Sequence, residues 1–110
     1  KTLEMNLGMA KVTADNADWR GSIEGRLMKS RSGWEDEGNG SNISDFNGIP
    51  GGSRLTDNSF RYKGVYANWW TSTEYSSNAG WYRSLYKNNT GVYRGSFGKE
   101  FGLSVRCVKD

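Results

Sequence analysis

The sequence predicts an α+β domain, with two short N-terminal helices followed by short antiparallel strands and long loops. Three observations carry this reading. Apolar residues recur at helical spacing only within residues 1–31. Period-two alternation and hairpin chemistry take over in the second half. The chain also holds 5 Trp, 6 Tyr and 4 Phe, which offset a hydrophobic content of only 35%. Each buried ring removes roughly 150–250 Å² from water, and disordered chains lack such residues. The 110 residues fit one domain, spanning 1–110.

Leu3, Leu7 and Ala10 open the helical region. Thr13 has the chemistry of an N-cap ahead of residues 14–18, a run that ends near Gly21. Ser22 begins the second helix, with Ile23, Leu27 and Met28 on one face and a stop before Gly33. Both helices are short, so tertiary packing must hold them. Residues 32–44 read as loop and carry the consecutive acids Glu35, Asp36 and Glu37.

Pro50-Gly51-Gly52 breaks the chain, and both glycines are expected at backbone angles that a Cβ disfavours. Trp69-Trp70 with Thr71 and Thr73 favours a strand. The two tryptophans then point to opposite faces, one toward the core and one over a loop or cleft. Glu74 is expected to accept backbone N–H bonds that pin a loop. Trp81, Arg83 and Leu85 alternate with Tyr82, Ser84 and Tyr86, and residues 87–91 supply a hairpin turn. Residues 92–94 return, residues 95–98 turn, and residues 101–108 form a last strand. In that strand Leu103, Val105 and Cys107 share a face, which predicts a buried, unreactive thiol at Cys107.

Composition excludes several chemistries. The chain contains no His, which removes His-based acid–base catalysis, the usual serine triad and the commonest zinc ligand. A single Cys cannot form an internal disulfide or a thiolate cluster. No apolar run approaches the roughly 18 residues of a membrane helix, so no membrane insertion is expected. Residues 1–53 carry six Lys/Arg and eight Asp/Glu, and residues 54–110 carry nine and four. The basic residues are dispersed, unlike a nucleic-acid footprint, so no nucleic-acid partner is expected. Their sign favours an acidic ligand over a basic one. The acids 35–37 are read as a solvated loop. Oxygen ligands there leave calcium open, but no cofactor is expected.

Several ordered blocks resemble the Fibrobacter succinogenes major paralogous domain family. Residues 21–29 with Gly33-Trp34 are similar to one block, and residues 46–54 resemble its "F-x-x-L-P-G-G-x-R" segment. Residues 69–74 are similar to "W-W-S-S-T-E", and residues 102–110 to "G-x-S-V-R-C-V-x-D". The resemblance implies a C-type lectin-like fold and a secreted or surface-anchored protein of the Bacteroidetes type, such as a lipoprotein. The family's "R-L-P-T-x-x-E-W"-like stretch is missing, so the chain is expected to be the C-terminal portion of such a domain. The related formylglycine-generating enzymes depend on active-site cysteines, and Cys107 sits in the wrong motif for that role.

The expected function is a cell-surface or secreted binding module for a glycan or protein ligand, such as an adhesin tip or a retroelement-diversified receptor. A passive structural module of a larger envelope protein is the alternative, and a carboxylate-dependent hydrolase the third reading. No enzyme activity is expected. Residues 75–97 are dense in Tyr, Trp, Ser, Asn, Gly and Arg, the composition of recognition surfaces. Tyr75, Trp81, Arg83, Lys87, Asn88 and Arg94 are the expected ligand residues. Leu85 shares the parity of Trp81 and Arg83, so that face can instead be core. The candidates then become Tyr82, Ser84 and Tyr86.

Overall fold

The computed structural model describes residues 1–107. Three one-turn helices come early: α1 (Thr2–Asn6), α2 (Lys11–Ala14) and α3 (Glu24–Met28). The strands are β1 (Asp18–Arg20), β2 (Ser53–Arg54), β3 (Phe60–Arg61), β4 (Tyr66–Ser76), β5 (Ala79–Tyr86) and β6 (Val92–Gly98). β1, β6, β5 and β4 form an antiparallel sheet in that order, and β2 pairs with β3 in a separate ribbon. The α+β class is as the sequence predicts. Among the described residues, no helix is long and apolar enough to cross a membrane.

The central hairpins follow from local chemistry. β4 and β5 turn at Ser77-Asn78, and β5 and β6 are joined by residues 87–91, where the sequence places a hairpin. Buried Lys29 fixes the second connection. It donates to the carbonyls of Tyr86 and Asn89, and lies 4.9 Å from the Trp34 ring centroid. Burial pulls its pKa down to about 8.

Trp69, Arg83 and Leu85 face the helices and the 32–50 loop. Met28, Trp34, Ala67, Leu85 and Val92 form the core there, with Leu3, Leu7, Phe46 and Trp69 packed around them. Trp34 donates its indole N–H to Ser30 Oγ and the Gly48 carbonyl, both at 3.2 Å. A buried charge cluster borders this layer. Arg20 Nη2 donates to Glu4 Oε1 at 2.6 Å, and Arg83 Nε donates to the same oxygen at 3.0 Å. Arg20 also donates to the Ala14 carbonyl at 2.9 Å. One carboxylate thus joins α1 to both the edge strand β1 and the inner strand β5.

Four local expectations fail. Residues 14–18 do not form a helix, and Thr13 lies inside α2, which has no side-chain cap. Asp18 takes a positive φ of 63°, and the chain then pairs with Val92–Arg94. The weak helix preference of Asp and Asn yields to that ladder. Residues 95–98 continue β6 rather than turn, because they pair with 79–82 of β5. Gly52 has the expected positive φ (72°), and a Cβ there would stand 2.1 Å from the Arg61 carbonyl oxygen. Gly51 has no positive φ, and a Cβ there would meet only Ser104 Oγ at 3.7 Å.

The fourth failure is the last strand. Among the described residues only single bridges form there, between Arg54 and Gly102 and between Trp69 and Ser104. The segment lies along the outer edge of β4, where no second layer covers it. Val105 is 73% exposed, and Cys107 is exposed rather than buried. Alternation marks a buried face only where another layer meets it. Residues 108–110 lie outside the described residues.

Two outcomes are expected. Burial alone would push the Glu4 carboxyl up. The Arg20 hydrogen bond and the charges of Arg20 and Arg83 overcome this and lower its pKa from 4.5 to about 2. The stabilisation is therefore complete above pH 4.5 and is lost as pH falls toward 2. Urea denaturation should show Glu4→Gln less stable by about 3 kcal/mol at neutral pH, with the gap closing in acid. For Cys107, native protein should react with a thiol reagent without denaturant, and protection of the thiol would contradict its exposed position.

Candidate functional site

The sheet register builds the site. Trp19 of β1 stands opposite Tyr93 of β6, Tyr93 opposite Ser84 of β5, and Ser84 opposite Asn68 of β4. These four side chains form a row across the face that the helices leave open. Tyr82 and Tyr86 flank Ser84 on its own strand and share this face. Asn68 Nδ2 donates at 2.7 Å to Ser53 Oγ in the small ribbon, which closes the β4 side.

Stacked rings wall the row. Tyr82 lies parallel to Phe97, with centroids 4.3 Å apart, and Phe97 stacks on Phe101 at 4.9 Å. On the other side Tyr66 stacks on Tyr86 at 4.7 Å, and Tyr62 meets Tyr66 edge-on at 5.6 Å. Trp19 sits edge-on to Tyr93 at 5.4 Å and is 40% exposed. All of these rings except Tyr86, together with Leu55, line a cleft of about 290 Å³.

The cleft is aromatic, and among the described residues no Asp, Glu, Lys or Arg lines it. The carboxylate pair that glycoside hydrolysis requires is therefore not found along its lining. Tyr66, Tyr82 and Tyr93 keep their protons. Burial raises the pKa of Tyr82 and of Tyr66, and neighbouring phenols add to both effects. Burial, then the adjacent Asp18, raises that of Tyr93. At the floor, Ser84 is 3% exposed, and its Oγ has no hydrogen-bond partner among the described residues.

Comparison with known families matches residues 1–109 to the Fibrobacter succinogenes major domain (Fib_succ_major). The chain belongs to this family. No curated protein matches the chain. No solved structure matches it either.

In this Fibrobacter-type domain the motif blocks frame the cleft from behind and from the side. Pro50 is buried, and Gly52 turns the chain so that Ser53 reaches Asn68. Trp69 packs edge-on against Phe46 at 5.1 Å on the core face. Trp70 takes the opposite face and lies across Gly80, where a Cβ would come within 3.2 Å of the indole. Glu74 bonds Lys99 on the surface, not backbone N–H groups as the sequence suggested. The bulged, exposed end of β4 carries it away from any loop backbone.

The six expected ligand residues are not brought into one surface. Arg83 is committed to Glu4. Lys87 pairs with Asp36 and lies 3.7 Å from Glu35, so it pins the acidic loop to the hairpin. Asn88 is exposed in that hairpin loop. Only Tyr75, Trp81 and Arg94 meet, on the helix-side face. Tyr75 is edge-on to Trp81 at 5.0 Å, and the Arg94 guanidinium lies 4.0 Å over the Trp81 ring. Arg94 is also held by the Asp15 carbonyl at 2.9 Å. Among the described residues, no three His, Cys, Asp or Glu side chains stand together as metal ligands, including the acids at 35–37.

Strand parity could have found the cleft, since Tyr82, Ser84 and Tyr86 alternate with the core-facing residues. Trp19, Ser53 and Asn68 had no such signal, because three separate segments deliver them. Gly95 is also hidden in the sequence. It stands opposite Tyr82, and a Cβ there would be 2.6 Å from Tyr93 Cε1 and 3.2 Å from Tyr82 Cε1. Gly95→Val should displace both phenols and cost roughly 1–3 kcal/mol by overpacking. Urea denaturation reads the loss, and near-ultraviolet circular dichroism reads the change in ring environment.

Proposed function

We propose that this domain binds a neutral glycan in the aromatic cleft of its open sheet face. The observation that carries the reading is a concave wall of rings with a polar floor and no charged lining. Sugar rings stack on aromatic faces through their C–H surfaces, and their hydroxyls require neutral donors and acceptors. The phenols of Tyr66, Tyr82 and Tyr93, held protonated by burial, supply such donors. A volume of about 290 Å³ suits one or two sugar units at the small end of ligand sites. The dispersed positive charge of the second half does not line the cleft, which favours a neutral ligand over an acidic one. No cofactor or metal is needed for this reading, and no catalytic residue is assigned.

The same reading makes the domain a surface-displayed or secreted recognition module with a C-type lectin-like fold, in the manner of an adhesin tip. Family membership and the order of helices before antiparallel sheet support this. A second reading places recognition of a surface protein on the Tyr75, Trp81 and Arg94 cluster, supported by the 56% exposure of Tyr75. The two differ in face. A glycan array with the isolated domain, followed by calorimetry, separates them. Trp19→Ala should weaken binding of a neutral glycan at least tenfold, about 1.4 kcal/mol or more, while Trp81→Ala leaves it unchanged. Loss with Trp81→Ala alone would move the site to the other face.

A further inference from the structure

We infer that Ser84 is the specificity-determining residue of this cleft, exchanging a hydrogen bond with one particular hydroxyl of the bound sugar unit. The inference rests on the neutral-glycan reading and adds what that reading leaves open, namely which atom selects among sugars that stack equally well. Aromatic walls discriminate poorly, because every pyranose presents a C–H face. A buried polar group with one unmet hydrogen bond discriminates sharply, since an analogue lacking the matching hydroxyl leaves it unpaired.

Ser84 meets the requirements. It lies midway in the four-strand row, with Tyr93 opposite on one side and Asn68 on the other. Its hydroxyl is buried and has no partner among the described residues. Asn68 directs its Nδ2 to Ser53 Oγ, so that amide N–H₂ turns toward the ribbon instead. Ser84 and its neighbour Tyr82, on the same face of β5, both line the cleft, so a sugar stacked on the Tyr82 ring would lie against the serine. An aliphatic hydroxyl both donates and accepts, which matches a sugar hydroxyl that does the same.

The test is a nuclear magnetic resonance titration of the domain with the methyl glycosides of glucose, galactose and mannose and their monodeoxy derivatives. The Trp19 indole and the Ser84 amide report binding. Wild type, Ser84→Ala and Trp19→Ala are compared, with thermal melts as the control for folding. One methyl glycoside should shift both signals, and one of its deoxy derivatives should bind about tenfold to hundredfold more weakly. Ser84→Ala should weaken the parent sugar by the same factor and no longer distinguish it from that deoxy derivative. If Ser84→Ala binds the parent as wild type does, or if its effect multiplies with that of every deoxy position, the role of Ser84 is overturned. Loss with Trp19→Ala would then still uphold the glycan reading. If no methyl glycoside moves either signal, both are overturned.

Discussion

The buried Glu4 carboxylate, held between Arg20 and Arg83, is the constraint on which the arrangement turns. A carboxylate taken out of water is costly unless its charge and lone pairs are met. Here two guanidinium groups from different strands meet them. The result is positional. α1 is tied to the edge strand and to an inner strand at once, and β1 is fixed beside β6. Without β1 in that place, Trp19 would not stand opposite Tyr93, and the cleft would lose one wall. A three-residue strand has little ladder of its own to hold it, so the ion pair beneath it matters more than its length suggests.

The sheet has two unequal faces. One is covered by helices too short to be stable alone and by a loop anchored through Trp34 and Lys29. The other has no helix over it. Its aromatic side chains stack on one another instead, in two tiers on either side of a polar row. Stacking of this kind shields ring surface while leaving a concavity between the tiers, and the β2–β3 ribbon closes one end. The absence of charge in the cleft follows from the same division. Arg83 points to the core face, Arg94 spans Trp81 and the α2 end, and Lys87 holds the acidic loop.

The aromatic richness of the chain and the alternation in β5 made a recognition surface legible, and also its ambiguity, because Leu85 marked one parity as possible core. The structure resolves the parity: Leu85 is fully buried, and Tyr82, Ser84 and Tyr86 take the open side. Arg83 stands beside Trp81 in sequence like a ligand contact, while the structure pairs it with Glu4, 79 residues away. Cys107 is the opposite case. Its strand-like alternation was real in sequence, but the segment runs along an edge with nothing over it.

Local pattern and chemistry by themselves determined the α+β order, the β4–β5–β6 region, the hairpin at 87–91, the special backbone of Gly52 and the family blocks. Each depends on residues near one another in the chain: side-chain periodicity, turn preference, the missing Cβ of glycine. The tertiary structure alone decided which face of β5 is open, that residues 18–20 form a strand, and that Trp19, Ser53 and Asn68 join Ser84 in one site. Those outcomes depend on pairing energies and buried charge between segments far apart, to which no local window of sequence has access.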